Sequence, residues 1–265
     1  MRRVQRGRRD NAAAMSTPKV LFGFHAVGVR LKTAPQSIIE IYYEPTRRDA
    51  RMRQFLQRAR EAEVRLIEAD GLRIAKLAGS QGHQGVAARV QPLAQMQSLD
   101  DLLDQLEADG VRNPLLLVLD GVTDPHNLGA CLRSADGAGA HAVIAPKDHA
   151  VGINATVAKV ASGAAETVPY FMVTNLARTL GELKERGIWV LGTSGDADKS
   201  LYQADLEGPV ALVLGAEGAG LRQLTRKSCD ELLHIPMQGA VESLNVSVAS
   251  ALCLYEALRQ RRAAG

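Results

Sequence analysis

Residues 115–119 are five consecutive large aliphatic side chains, Leu-Leu-Leu-Val-Leu, with no polar residue among them. A strand that faced water on one side would alternate apolar with polar residues, so this run predicts a strand buried on both faces. Such strands belong to parallel sheets that helices cover on each side. Further strands are predicted at 142–145, 168–173, 189–193, 210–214 and 232–235, and helices at 128–137, 155–164, 176–186, 221–228 and 246–261. The alternation predicts a doubly wound α/β domain over residues 114–265.

The first third of the chain predicts a separate, smaller α/β unit over residues 19–92. Its expected helices cover 22–31, 48–63 and 72–77, and its expected strands cover 38–43, 64–69 and 85–90. Residues 1–18 carry five arginines without apolar periodicity, so we expect a disordered basic tail there. Residues 93–113 are expected to link the two units through a helix over 99–108, with Ser98 as its N-cap and Gly110 after its end.

Charge is divided unequally between the two parts of the chain. Residues 1–92 hold 18 Lys and Arg against 8 Asp and Glu, whereas residues 93–265 hold 14 against 21. A basic half favours contact with a polyanion, and arginine in particular suits phosphate binding and base stacking. We therefore expect the N-terminal half to contact RNA, with a solvated basic face that has no partner as the alternative.

No segment of the sequence predicts a membrane span or a secretory signal. The three cysteines, Cys131, Cys229 and Cys253, lie far apart and have no metal-ligand spacing. We therefore expect reduced thiols in the core, no bound metal and a cytoplasmic location.

Three segments of the C-terminal part each combine a strand end with polar or glycine residues and a following helix. They are residues 124–136, 214–221 and 235–249. Open α/β sheets bind ligands at this end of their strands. The glycines of the second segment do not have the spacing of a dinucleotide-binding loop, which disfavours a nicotinamide or flavin enzyme.

Taken singly, each segment also has a simpler explanation. Asn127, Ser243 and Asn245 could cap the helices that follow them. Arg133 could form a surface ion pair with Asp124 or Asp136. The glycines around position 215 could form an ordinary strand-to-helix turn, although that turn does not explain a glutamate between them.

Together, the three segments resemble the motifs of the SpoU/TrmH group of RNA 2'-O-ribose methyltransferases, within the SPOUT superfamily. The resemblance covers residues 113–262, and it is strongest to the branch that methylates a guanosine of bacterial 23S rRNA. It implies a SPOUT-type parallel sheet with a C-terminal trefoil knot, and a homodimer whose active sites form across the two subunits. Residues 83–87 resemble the end of the L30e-like domain that precedes the catalytic domain in many relatives. One departure is Ala251, where relatives often carry glycine.

The resemblance also implies a methyl donor and a set of site residues. The donor is S-adenosylmethionine, and the cofactor-binding residues are Thr193, Leu214, Gly215, Ile235, Met237 and Leu244. The catalytic residues implied are Asn127, Arg133, Glu217, Ser243 and Asn245.

Arg133 could act on the ribose hydroxyl in two ways. Free arginine has a pKa of about 12.5–13.8, so a role as general base would require a large downward shift. We prefer the hypothesis that Arg133 grips the target phosphate and ribose and stabilises negative charge on the 2'-oxygen. Glu217 would orient Arg133 or the nucleotide, while Ser243 and Asn245 would bond the ribose or shape the cofactor loop.

Two alternatives to the 23S rRNA assignment remain open from the sequence. The first is the same chemistry on transfer RNA or on a resistance-conferring rRNA site. The second is a non-catalytic RNA-binding protein that uses the basic half, although the presence of all four polar residues Arg133, Glu217, Ser243 and Asn245 argues against it.

Overall fold

The structure, a computed structural model, describes residues 18–92 and 98–264. Among these residues the chain divides into two compact units, one of residues 18–24 and 31–92 and the other of residues 25–30 and 98–264. The expected basic tail, apart from its last residue, and the first five residues of the expected linker lie outside the described residues.

The first unit contains a four-stranded sheet with the strand order β1-β4-β2-β3. Strand β4 is antiparallel to both of its neighbours, whereas β2 and β3 are parallel. The elements up to residue 92 are β1 (Lys19–Phe22), α1 (Phe24–Thr33), β2 (Ile38–Tyr43), α2 (Ala50–Glu61), β3 (Leu66–Glu68), α3 (Gly71–Ala78) and β4 (Val86–Val90). The sequence did not predict β1, because its short apolar run continues directly into the apolar residues of α1 and pairs with β4 alone.

The second unit contains a seven-stranded sheet, and all of its strand pairs are parallel. The strands are β5 (Leu115–Asp120), β6 (Ala142–Pro146), β7 (Tyr170–Val173), β8 (Trp189–Thr193), β9 (Lys199–Ser200), β10 (Val210–Gly215) and β11 (Glu231–His234). The helices are α4 (Leu99–Ala108), α5 (Pro125–Ala138), α6 (Ala155–Val160), α7 (Leu176–Glu185), α8 (Gln223–Ser228) and α9 (Val246–Ala264). The strand order is β7-β6-β5-β10-β8-β11-β9.

Strand β5 lies inside this sheet and is buried on both faces, as its apolar run predicted. Leu115, Leu117 and Leu119 belong to one core cluster, which also contains residues of α5, α6 and α9. Leu116 and Val118 belong to a second cluster, with residues of α4 and α7. The two clusters occupy opposite faces of the sheet, because successive side chains of a strand point to opposite sides. The prediction of a helix-covered parallel sheet is confirmed.

Helix α4 forms over the predicted residues, and the Ser98 hydroxyl accepts a hydrogen bond from the Asp101 amide at 3.1 Å. The helix packs within the second unit, since Leu102 and Leu103 belong to one of its core clusters. The structure therefore assigns this helix to the second unit.

Several elements of the second unit differ from the sequence prediction, and three of these differences have a local cause. Helix α6 ends at Val160 and not at 164, because Ser162 and Gly163 adopt left-handed backbone that no α-helix continues through. Strand β7 begins at Tyr170, after Pro169, which lacks the amide hydrogen that a ladder requires. Strand β9 has only two residues, too short for a periodic signal.

Strand β10 lies between β5 and β8, although both of those strands precede it in the chain. The chain thus returns to the centre of the sheet, between two strands that come earlier in the sequence. The trefoil knot implied by the family resemblance stays a prediction. Among the described residues, no helix combines the length and the apolar character that crossing a membrane requires.

Candidate functional site

The carboxyl edge of the seven-stranded sheet holds a topological switch point. From β5 the chain proceeds outward to β6 and β7, and it then crosses to β8 on the other side. Ligands of open α/β sheets bind at such a reversal. Gly215 is paired in register with Asp120, and Thr193 with Leu233. The ends of β5, β8, β10 and β11 therefore lie side by side. Four predicted cofactor-binding residues stand at or directly after these ends: Thr193, Leu214, Gly215 and Ile235.

The segment after β10, residues 216–221, folds back tightly over Gly215. The Gly220 amide donates to the Ala216 carbonyl at 2.9 Å. A β-carbon at position 215 would lie 2.0 Å from the Gly220 carbonyl carbon, closer than any side chain could tolerate. Glu217 is exposed on this segment, which we call the glycine loop. The fold-back itself therefore requires glycine at position 215, which agrees with the simpler explanation of that glycine.

Asp120 lies at the end of β5 in the candidate site, and the sequence interpretation did not single it out. Its side chain is fully buried at the end of β5, where its carboxylate accepts the Arg222 main-chain N–H at 3.0 Å and the Arg222 Nε–H at 2.6 Å. Arg222 Nη2 lies 2.5 Å from Asp120 Oδ1. An acidic residue directly after a continuous apolar strand was the available signal, because a buried carboxylate requires a partner.

The helix α5 begins differently from the sequence expectation. Asp124 is its N-cap and accepts the His126 amide at 3.0 Å, with Pro125 at the first helical position. Pro favours that position, since its missing amide hydrogen would be unpaired there anyway. The prediction that Asn127 caps this helix is therefore wrong. Asn127 lies inside the first turn, and its Oδ1 accepts a hydrogen bond from Asn245 Nδ2 at 3.0 Å.

Asn245 is the N-cap of α9, as the sequence suggested for it or for Ser243. Its Oδ1 accepts the Ser247 amide at 2.9 Å and the Ser247 hydroxyl at 2.6 Å, and its carbonyl accepts the Ala249 amide. The remaining amide group of Asn245 is thus directed to Asn127. This bond joins the first and third sequence segments, 118 residues apart. Ser243 is exposed in the loop before α9.

Arg133 is exposed on α5, and the structure does not pair it with a carboxylate. Among the ion pairs formed by residues 18–92 and 98–264, none includes Arg133. Asp124 is occupied as the helix cap, and Asp136 accepts the Thr167 hydroxyl at 2.5 Å. The alternative of a surface ion pair is wrong. Within one chain, the described contacts also do not connect Arg133 with Glu217.

The predicted cofactor-binding residues combine apolar side chains with loop main chain. Leu214 is buried, whereas the other five are half-buried. The Thr193 hydroxyl donates to the Val213 carbonyl at 3.4 Å, which ties the ends of β8 and β10. Ile235 packs against the core, and Met237 and Leu244 lie in the loop between β11 and α9. Such a mixture fits a nucleoside, whose base needs apolar walls and a few fixed polar groups.

The three thiols are core groups, as expected. Burial raises the pKa of Cys131 and of Cys229 to about 11 and the pKa of Cys253 to about 12. All three are free of disulfides. Thiols with such pKa values are protonated at neutral pH and do not act as nucleophiles.

The first unit presents an arginine-rich surface on α2. Arg51, Arg53, Arg58 and Arg60 are exposed, while Met52, Phe55 and Ala59 on the other side of the helix are buried. The guanidinium groups of Arg47 and Arg51 lie 4.9 and 4.6 Å from the centre of the Phe24 ring. Arg47 also donates to Asp49 Oδ2 and to the Gln84 carbonyl, whereas the exposed Arg51 can attract phosphate.

Comparisons with known proteins agree with this architecture. The model of the SpoU rRNA Methylase family matches residues 114–255, and that of the RNA 2'-O ribose methyltransferase substrate binding family matches residues 20–96. The chain belongs to the SpoU rRNA methylase family.

Individual relatives extend the similarity over nearly the whole chain. The 23S rRNA (guanosine-2'-O-)-methyltransferase RlmB of Ralstonia nicotianae is 64% identical over 93% of this chain and 98% of its own length. A crystal structure of an RNA 2'-O ribose methyltransferase matches with a TM-score of 0.72 at 27% identity, covering 92% of this chain and 89% of that one. The SpoU methyltransferase AviRb from Streptomyces viridochromogenes, in complex with AdoMet, matches with a TM-score of 0.71 at 25% identity, covering 94% and 92%.

Proposed function

We propose that the protein transfers a methyl group from S-adenosylmethionine to the ribose 2'-hydroxyl of a guanosine in 23S rRNA. The near-full-length similarity to the Ralstonia enzyme of that specificity carries the proposal. The bond between Asn127 and Asn245 supports it independently, because it brings two of the three sequence segments into one site at the carboxyl edge of the sheet.

The reaction has two requirements that the protein must meet. S-adenosylmethionine supplies an electrophilic methyl carbon, so the chain must align the hydroxyl oxygen with it and assist the loss of the hydroxyl proton. Alignment can contribute roughly 7–11 kcal/mol to the lowering of the barrier. No side chain has to form a covalent bond to the methyl group.

Arg133 is the residue we assign to the ribose. Its guanidinium is exposed and has no carboxylate partner among the described residues, so it can bind a phosphate and stabilise charge that develops on the 2'-oxygen. Glu217 would orient the nucleotide or the arginine of a second subunit, since it does not contact Arg133 of its own chain in the described structure. Asn127, Ser243 and Asn245 would fix the ribose and the cofactor loop.

The donor would bind against the glycine loop. Leu214, Ile235 and Leu244 would supply apolar walls for the adenine. Main-chain groups around Gly215 would form hydrogen bonds with the polar edge of the adenine. Thr193 and Met237 would close the sides of this site. The space that a β-carbon at position 215 would occupy is filled by main chain of the glycine loop, so glycine at this position allows the loop to fold back beside the proposed donor site.

A second copy of the chain is the partner we assign to the outer face of α9. Val248, Leu252 and Tyr255 are exposed on this helix, and Tyr202 is exposed beside them. Exposed apolar patches of this kind mark contact surfaces. Leu254 of the same helix is fully buried within its own chain, so it does not belong to this exposed patch.

The first unit would bind the RNA substrate through the exposed arginines of α2. We propose residues 19–92 as this substrate-binding domain and residues 114–265 as the catalytic domain, with 93–113 between them. The site of action would be the cytoplasm, where 23S rRNA is assembled into ribosomes.

The experiment that tests this function uses rRNA from a strain whose own copy of the gene is deleted. Blocked 2'-positions are mapped in that rRNA before and after incubation with the protein and S-adenosylmethionine. One new block at a guanosine of 23S rRNA is the expected result. Methylation of transfer RNA alone would favour the related enzyme class. RNA binding without heat of binding for S-adenosylmethionine in titration calorimetry would favour a non-catalytic protein.

A further inference from the structure

The buried carboxylate of Asp120 lies at the switch point, beside the site assigned to the methyl donor. It ends β5, and its register partner in β10 is Gly215, the residue over which the glycine loop folds. Asp120 has no exposed surface, so its carboxylate has exchanged all of its water for protein contacts. Such a group is retained only where a cation and hydrogen bonds replace the water.

Arg222 provides both replacements at the far end of the glycine loop. It donates its main-chain N–H to one carboxylate oxygen at 3.0 Å and its Nε–H to the other at 2.6 Å. Arg222 precedes α8 and has no side-chain cap of its own, so Asp120 fixes the direction in which the chain enters that helix. Guanidinium and carboxylate bound in this way are geometrically rigid.

Both ends of the glycine loop are therefore held at Asp120. Gly215, which precedes the loop, pairs with Asp120 in the sheet, and Arg222, which follows the loop, binds the Asp120 carboxylate. Residues 216–221, which include the exposed Glu217, are held in one shape by contacts outside the loop.

We propose that Asp120 and Arg222 are positioning residues that hold the glycine loop in the shape that receives S-adenosylmethionine. The inference rests on the proposed methyl donor, and it assigns these two residues to the shape of the glycine loop. The pair acts on binding of the donor, so its loss raises the KM for S-adenosylmethionine and leaves kcat at saturating donor nearly unchanged.

The test compares Asp120→Asn, Arg222→Gln and Arg222→Lys with the unaltered full-length protein. For each, the dissociation constant of S-adenosylmethionine is measured by calorimetry, the KM and kcat by methyl transfer, and the midpoint by thermal unfolding. We expect the first two variants to weaken donor binding about tenfold or more. Arg222→Lys keeps the charge but loses the Nε–H donor, so its dissociation constant should fall between those of Arg222→Gln and the unaltered protein.

Arg186→Gln is the matched control. It removes an arginine that pairs with Asp104 at 2.6 Å on the surface of the same unit, away from the glycine loop. This variant should bind the donor as the unaltered protein does. Arg222 is 45% exposed, so Arg222→Gln tests the proposal even if Asp120→Asn does not fold.

Two results are distinguishable in this design. If folded Arg222→Gln keeps the donor affinity and the KM of the unaltered protein, whatever its unfolding midpoint, the positioning role is overturned. The proposed function would be left intact. Absence of donor binding by the unaltered protein would instead overturn the proposed function itself.

Discussion

At the scale of single residues, Arg133 carries the largest share of the proposed chemistry. Replacement by lysine keeps one positive charge but removes the planar fork that can hold a phosphate and the 2'-oxygen together. We expect Arg133→Lys to lower kcat by roughly a hundredfold or more, as loss of a positioned charge donor does in other enzymes. The dissociation constant for S-adenosylmethionine should not change, because the arginine is assigned to the ribose. Near-normal methyl transfer by the lysine variant would argue against any special role of the guanidinium.

The cysteines give a residue-scale prediction that involves no substrate. With a pKa of about 11 for Cys131 and Cys229 and about 12 for Cys253, only about one thiol in a thousand or fewer is ionised at pH 8. Alkylation of the native protein by iodoacetamide at pH 8 should therefore be slow at all three, and fast for all three in denaturant. Rapid labelling of half-buried Cys229 in the native protein would contradict the burial described above.

Individual residues also show where sequence interpretation reaches its limit. Asn245 as a helix cap followed from local spacing, because a cap and its helix are neighbours in the chain. The Asn127–Asn245 bond and the Asp120–Arg222 pair did not, because they join positions that only the assembled sheet brings together. A buried charge next to an apolar strand indicates that a partner exists, but it does not identify that partner.

At the scale of elements, the glycine loop makes a sharp prediction. The Gly215→Ala variant places a methyl group 2.0 Å from the Gly220 carbonyl carbon, so the loop must shift. We expect a cost of roughly 1–3 kcal/mol in the free energy of unfolding and a clear loss of donor binding. Chemical denaturation and calorimetry measure the two effects.

Gly181→Ala is the control for that substitution. It lies inside α7, where an added β-carbon meets nothing within 4 Å. Alanine there should stabilise the protein by roughly 0.5–1 kcal/mol and leave donor binding unchanged. Full donor affinity in Gly215→Ala would show that the tight fold of the loop is not required.

The start of α9 allows capping to be separated from the contact between segments. Asn245→Asp keeps the oxygen that accepts the Ser247 amide, but it removes the Nδ2 donor to Asn127. Asn245→Ala removes both. We expect the aspartate variant to unfold at nearly the normal temperature and to lose methyl transfer. The alanine variant should also lose about 1 kcal/mol of stability. Equal activity in the aspartate and unaltered proteins would separate the Asn127 contact from function.

The elements themselves were largely predictable from periodicity. The strands that became β5, β8 and β10 and the helices α4, α7 and α9 lie close to their expected bounds, since each carries a sustained apolar pattern. Short elements without such a pattern, β1 and β9, were missed. The strand order was not predictable, because the insertion of β10 between β5 and β8 is a property of the whole sheet.

At the scale of the whole molecule, the exposed face of α9 predicts self-association. Leu252→Glu would bury a charge without a partner in the proposed interface, which costs several kcal/mol. We expect light scattering to report a dimer for the unaltered protein and a monomer for this variant. The variant should retain its unfolding midpoint at low concentration only if each subunit folds independently of its partner. A monomeric unaltered protein would contradict the proposed partner of α9.

The account depends most directly on a ribose oxygen receiving the methyl group of S-adenosylmethionine. The deciding measurement is methyl transfer from labelled donor to a 23S rRNA transcript, followed by alkaline hydrolysis. Alkali does not cleave the phosphodiester bond that follows a 2'-O-methylated nucleotide. We predict saturation at a single guanosine, and no transfer by Arg133→Ala, which should still bind the donor. Label on a base, or a transcript hydrolysed at every position after full incubation, would contradict the account.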